Sequence, residues 1–289
     1  GDLSVLDAGT GAVRQVTHVN LAFERAHAVV EPQHVTVEDR AGFRVHAWFM
    51  PAAHAVKGRR YPTLLEIHGG PQTEFLNAFF FEMQYLCGLG YNVVFADPRG
   101  SVGFGYPFAA ALDMDWGTPM FEDEMAVVDA VARRPDVDAS RLGVLGGSYG
   151  GYATLWMIAH TARFKVAVAE RVVSNLQTEF LTADETSSND PRYSPGDVID
   201  QQAAYWKQSP LAYVASVNTP LLLVHSDDDL RTPLVETLQE YTALQALGKT
   251  VRLLEFPREN HDLNRIGEPI HRIERLHLIA DWLGSYLNP

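Results

Sequence analysis

Ser148 stands between glycines at both two-residue offsets, in Gly146-Gly147-Ser148-Tyr149-Gly150, after the apolar run Leu142-Gly143-Val144-Leu145 and before a helical stretch from Ala153 to His160. That context describes a sharp strand-to-helix turn with a hydroxyl at its apex. Gly146 and Gly150 fall where a β-carbon would crowd the turn, and the serine takes a strained backbone conformation that lifts Oγ clear of the sheet. Such a hydroxyl suits attack on an acyl carbon, provided a neighbouring base removes its proton. Glycine-rich turns of this kind also hold phosphates or simply pack, so the partners must decide.

Two further segments supply partners. Pro220-Leu221-Leu222-Leu223-Val224-His225 reads as a short strand running into Ser226-Asp227-Asp228-Asp229-Leu230-Arg231-Thr232-Pro233. Val251-Arg252-Leu253-Leu254-Glu255-Phe256 reads as another, followed by Pro257-Arg258-Glu259-Asn260-His261. Singly, the aspartates would be a solvated acidic loop and His261 one of eleven histidines. Together they lie at the carboxyl ends of successive strands, where open α/β sheets carry their sites. The chain order Ser…Asp…His is that of α/β-hydrolases. The expected fold is therefore the α/β-hydrolase fold, a mostly parallel central sheet flanked by helices, with a short N-terminal β-hairpin. Which of the three aspartates serves stays open on this evidence. A metal site built from His225 and the aspartates is set aside, because consecutive side chains on one loop rarely converge on an ion. No metal and no cofactor is expected.

The chemistry assigns roles. His261 takes the Ser148 proton as general base, and the acid holds the other ring nitrogen, fixing the tautomer and stabilising the imidazolium. The tetrahedral intermediate needs donors for its oxyanion, each worth about 3–4 kcal/mol of barrier. Tyr149 N–H, directly after the nucleophile, is one. The other is expected from the loop after the strand Tyr61-Pro62-Thr63-Leu64-Leu65-Glu66-Ile67.

Four motifs together, His68-Gly69-Gly70-Pro71, Asp97-Pro98-Arg99-Gly100-Ser101-Val102-Gly103-Phe104-Gly105, Gly146-Gly147-Ser148-Tyr149-Gly150-Gly151 and Asp229-Leu230-Arg231-Thr232-Pro233, cover residues 60 to 265 in order. They resemble the catalytic domain of the prolyl oligopeptidase family of serine peptidases, and most closely its acylaminoacyl-peptidase branch. The resemblance implies that Asp229, standing directly before the x-Arg-Thr-Pro run, is the acid. It implies Gly70 N–H as the second oxyanion donor and a substrate-facing Arg231. Ser226 departs from the glycine more usual in that loop. Arg171 could join Arg231 at a substrate carboxylate or acyl oxygen, since the guanidinium fork suits planar oxygen pairs. The alternative for Arg231 is a salt bridge within the aspartate-rich loop.

Length and composition agree with one hydrolase domain. The 289 residues, 46% of them hydrophobic, can bury about three quarters of the unfolded surface. No apolar run approaches the roughly 18 residues of a membrane span. No basic-then-apolar leader is visible, which makes a cytoplasmic location the default expectation. A net charge of −13 argues against nucleic acid or an anionic membrane as partner. The single cysteine, Cys87, lies in the helical-looking Phe81–Leu89 segment and reads as packing.

Leu3–Asp7 and Ala12–Thr17 read as a hairpin about a glycine-bearing turn, marginal without neighbours. It resembles the closing hairpin of the β-propeller that precedes the hydrolase in this family. With no initial methionine, the chain reads as the carboxyl-terminal part of a longer protein; the alternative is a decorative hairpin on a complete small hydrolase. The division is then 1–34, hairpin and linker (residues 20–34 being the linker), and 35–289, the catalytic domain, whose first hairpin turns about Ala41-Gly42. Residues 176–206 lack clear periodicity and read as a partly irregular cap. The functional expectation is a serine peptidase acting at a terminus of short peptides, releasing N-acylated amino acids or the carboxyl-terminal residue. A carboxylesterase and a non-catalytic binding module are the alternatives, and self-association as a homo-oligomer stays open.

Overall fold

The computed structural model describes residues 1–38, 42–76, 78–113, 115–184 and 198–288. Strands β1 (Ser4–Leu6) and β2 (Val13–Gln15) pair antiparallel as a separate two-stranded sheet, the expected hairpin, with every strand residue exposed. The stretch read as a linker contains a short helix, α1 (Leu21–Ala26), and β3 (Gln33–Glu38) already begins within it. Then follow β4 (Arg44–Met50), β5 (Tyr61–Ile67), α2 (Phe81–Gly88), β6 (Asn92–Asp97), α3 (Tyr106–Ala109), α4 (Thr118–Val131), β7 (Val137–Ser148) and α5 (Tyr149–His160). The chain continues through β8 (Val166–Val172), α6 (Leu176–Thr182), α7 (Gln202–Gln208), β9 (Leu221–Ser226), α8 (Leu234–Ala246), β10 (Val251–Phe256), α9 (Leu263–Ile266) and α10 (Pro269–Leu287).

The main sheet runs β10-β9-β8-β7-β5-β6-β4-β3. Strands β5 to β10 are parallel, while β3 and β4 are antiparallel at one edge. Residues 39–41, which include part of the turn expected between β3 and β4, lie outside the described residues. Parallel strands need cover on both faces, which is why β9 is an unbroken buried run, Leu-Leu-Leu-Val-His-Ser. Successive residues of β7 feed opposite cores. Val144 packs in the layer under α4, α5 and α8, and Leu145 in the layer under α2 and α10. Edge strand β3 keeps mostly exposed polar residues, which discourages pairing with another chain. Cys87 is buried on α2 in the second layer, and burial pushes its thiol up to about 12.

The irregular reading of residues 176–206 needs correction at its two ends. Helix α6 is capped by Asn175, whose side chain accepts the Gln177 amide, and α7 carries the buried Tyr205. Each helix has only seven residues, too few for an amphipathic period to stand out. Asp190-Pro191 and Ser194-Pro195-Gly196 lie outside the described residues. No helix among the described residues is long and apolar enough to cross a membrane.

Candidate active site

The apex of the expected turn has the predicted geometry. Ser148 ends β7 with φ 63° and ψ −124°, and α5 starts at the next residue. A serine held there costs about 1–3 kcal/mol, which the surrounding packing must over-determine. The two glycines show how tight that packing is. A β-carbon on Gly146 would lie 2.6 Å from the Gly150 carbonyl oxygen and 2.7 Å from that of Ile67, and one on Gly150 would land on the Ile67 oxygen itself.

The loop after β5 lies against this turn. A β-carbon on Gly69 would come within 3.2 Å of the Gly147 oxygen and 3.3 Å of Ser148 Cβ. Gly70 follows with φ 118°, a conformation that suits glycine. Polar contacts pin the loop from below. Thr73 Oγ1 donates to the Gly69 carbonyl at 2.8 Å, His68 Nε2 meets Ser101 Oγ at 2.9 Å, and Asp97 Oδ1 accepts the Phe75 amide at 2.7 Å. Burial lowers the His68 pKa. The motifs 68–71 and 97–105 therefore serve each other. Tyr149 keeps its side chain inside, its hydroxyl donating to the Trp116 carbonyl at 2.7 Å, while its amide opens the first turn of α5.

Of the three adjacent aspartates, Asp227 and Asp228 are exposed and Asp229 is 2% exposed. Asp229 Oδ1 accepts the amides of Arg231 and Thr232, both at 3.0 Å. Its Oδ2 faces His261 Nδ1 at 2.8 Å and also accepts from Thr232 Oγ1 at 3.1 Å. Burial works to raise the Asp229 pKa, but the hydrogen bond and charge of His261 outweigh it, and the carboxyl sits below its usual range. His261 itself is only partly covered, with its side chain 18% exposed. On the far side of the carboxylate stands a second histidine, His225, with Nε2 3.9 Å from Asp229 Oδ2 and Nδ1 2.7 Å from Thr237 Oγ1. Burial depresses the His225 pKa to about 4, so this ring is neutral.

The two arginines diverge. Arg231 is partly exposed, and its Nε donates to Asp184 Oδ1 at 2.8 Å, a residue beyond α6 and not one of the neighbouring aspartates. Arg171 lies on β8 between the strands that carry Ser148 and the Asp229 loop, and its guanidinium packs against Gly147. Sequence reasoning missed two features here. Thr232 touches Asp229, His261 and the Arg171 carbonyl with one hydroxyl. Arg275 of α10 pairs with Glu170 and, at 3.0 Å, with Glu82, forming a buried ionic cluster below the turn. Glu66 joins that cluster, its pKa raised well above the usual range by burial and then by Glu82 and Glu170.

A hydroxyl at the apex of a strained strand-to-helix turn after β7 and a carboxylate-oriented imidazole after β10, both at the carboxyl ends of parallel strands, are the parts that nucleophilic acyl transfer requires. With the doubly covered, mostly parallel sheet, they define an α/β-hydrolase. Residues 77–289 match the sequence pattern of the prolyl oligopeptidase family, and the chain belongs to that family. It is similar to the uncharacterized peptidase YuxL of Bacillus subtilis, with 38% identity over 275 residues that cover 95% of this chain and 42% of that protein. The acylamino-acid-releasing enzyme of Mus musculus is 31% identical over 217 residues, 71% of this chain and 29% of that enzyme. Among solved structures, the orthorhombic form of Pyrococcus horikoshii acylaminoacyl peptidase superimposes with a TM-score of 0.92 at 30% identity, over 99% of this chain and 46% of that one. The chain thus spans less than half the length of these relatives.

Proposed function

We propose that this chain carries the catalytic apparatus of a serine peptidase acting at a terminus of short peptides, with release of an N-acylated amino acid as the leading reaction. Ser148 is the nucleophile, His261 the base and Asp229 the acid; the Tyr149 and Gly70 amides bind the oxyanion. The observation that carries this reading is the 2.8 Å contact of Asp229 Oδ2 with His261 Nδ1 in a fold whose β7–α5 turn holds Ser148 at φ 63°. With Nδ1 donating to the carboxylate, Nε2 is left as the acceptor that takes the serine proton. Attack then gives a tetrahedral intermediate, the imidazolium returns the proton to the leaving amine, and water repeats the sequence on the acyl-enzyme.

Arg231 faces the substrate in this reading. An exposed ion pair such as Arg231–Asp184 is worth only about 0–1 kcal/mol, so this contact by itself is a weak competitor to a substrate oxygen. The names of the Pyrococcus and mouse relatives favour the acylated substrate over a simple ester. The N-terminal hairpin is read as belonging to a propeller placed over the carboxyl ends of the strands. In its support, Leu3, Val5, Leu6 and Val13 are each more than half exposed, an apolar surface that asks for cover. The test is a side-by-side assay of an N-acyl peptide, a free-carboxylate peptide and an ester, with and without the upstream segment added back. The acyl peptide should be preferred, and its hydrolysis should gain most from recombination. Preference for the ester in both cases would overturn the reading.

A further inference from the structure

The register of β8 against β7 slips at the active turn. Gly147 pairs with Glu170 but Ser148 pairs with Val172, so Arg171 is an extra residue bulged out of the ladder. Its φ is 39°, a left-handed conformation that an arginine adopts only where the surroundings force it. Bulges beside active sites commonly re-aim a side chain, and this one turns Arg171 back onto the neighbouring strand. A β-carbon built on Gly147 would lie 2.7 Å from both Cζ and Nη2 of Arg171 and 3.0 Å from Nη1. Three atoms at such similar distances place the guanidinium plane flat over Gly147, the residue before the nucleophile. Arg171 Nε is buried with no hydrogen-bond partner among the described residues, so at this atom packing and not a hydrogen bond holds the group. Meanwhile the Arg171 carbonyl stands 3.1 Å from Thr232 Oγ1, the hydroxyl whose one proton it shares with Asp229 Oδ2, also at 3.1 Å, and which lies 3.3 Å from His261 Nδ1. The residue before it, Glu170, is locked by Arg275 to α10, and Arg275 is tied in turn to Glu82 of α2. The bulge cannot slide without breaking that buried link.

We propose that Arg171 is a positioning residue: bulged between the two strands, it braces the Ser148 turn with its guanidinium and the Asp229–His261 pair with its carbonyl, and so sets the spacing of nucleophile and base. This departs from the substrate-binding role expected for Arg171 from sequence, and it rests on the assignment of Ser148, Asp229 and His261 above.

The test reads the rate at which a small uncharged fluorophosphonate modifies Ser148, located by mass spectrometry, beside kcat and KM on an N-acyl peptide and melting temperature. Arg171→Met keeps the stem and removes the plane. It should melt near wild type yet slow both Ser148 modification and kcat by about 10–100-fold, with KM within about twofold. Arg171→Lys should fall between the two. A variant with raised KM and undiminished modification rate would make Arg171 a substrate ligand and overturn the proposal. Gly147→Ala supplies an independent arm should Arg171→Met fail to fold. Its methyl displaces the guanidinium, so it should slow modification in the wild-type background and have little further effect alongside Arg171→Ala. Equal slowing in both backgrounds would overturn the proposal. If wild-type Ser148 is not modified at all, it is the nucleophile assignment that fails; modification at one rate in wild type and Arg171→Met fails the bracing role alone.

Discussion

Asp229 and His261 meet through one carboxylate oxygen and one ring nitrogen at 2.8 Å, while the second carboxylate oxygen is occupied by two amides of its own loop. The carboxylate is thereby held from both sides and has one direction in which to act. Substituting Asp229→Asn should keep the fold but present the wrong partner to Nδ1, with kcat falling by about four orders of magnitude. Asp227→Asn and Asp228→Asn, both at exposed positions, should stay within about threefold of wild type. Steady-state kinetics of the three variants checks this, and a severe loss at Asp228 with Asp229→Asn near wild type would reassign the acid.

Thr232 adds a hydroxyl to the same oxygen at 3.1 Å. Thr232→Val preserves shape and the backbone amide bond but deletes that donor. A hydrogen bond to a charged group is worth about 1.5–3 kcal/mol, so a loss of about tenfold or more in kcat is expected. Unchanged kcat would mean that the amides alone hold the carboxylate.

Much of this site was legible because its signal is local in sequence. Gly146 and Gly150 flank the serine within one turn, and that spacing marks the elbow even though the atoms that exclude a β-carbon at Gly150 belong to Ile67 and His68 at the end of β5. The choice among Asp227, Asp228 and Asp229 was not legible from the residues, because it depends on which carboxylate the loop folds inward. Resemblance selected Asp229, and its burial is the physical counterpart of that choice. The Arg275 cluster was hidden for a different reason. Its partners Glu170 and Glu82 stand 105 and 193 residues away, and no periodicity connects them. Arg231 likewise finds Asp184, 47 residues back, in preference to the aspartates beside it in sequence.

Steric fit at the turn predicts the outcome of Gly150→Ala. The added β-carbon would collide with the Ile67 carbonyl, a backbone atom that cannot rotate away. Overpacking of this kind costs about 1–3 kcal/mol or more. Thermal melting should show the loss, and peptidase activity should drop with it. A variant as stable and active as wild type would contradict the described packing.

His225 makes stability depend on pH. Its pKa is about 4 in the folded chain against 6.5 as the ordinary value, so between these limits the unfolded chain binds more protons. The stability that His225 contributes should therefore be fully present above pH 6.5 and decline as pH falls towards 4, by up to a few kcal/mol. Buried Asp97, Glu179, Glu236 and Glu240, whose pKa values burial raises, act in the opposite sense, so denaturant melts across that window should show wild type losing stability relative to His225→Gln as pH falls. Asp229 acts in a separate window, since its depressed pKa withdraws stability only below its ordinary value of 3.8. Parallel pH profiles in wild type and His225→Gln would remove His225 as a source.

The central claim is that Ser148 attacks the substrate. It is tested most directly by treating the protein with increasing amounts of an uncharged fluorophosphonate and measuring, on the same samples, N-acyl-peptide hydrolysis and the fraction of Ser148 modified. Activity should fall in proportion to modification and vanish when every Ser148 is occupied, and Ser148→Ala should be neither modified nor active. Activity that survives complete modification of Ser148, or is lost through modification at another residue, would contradict the account.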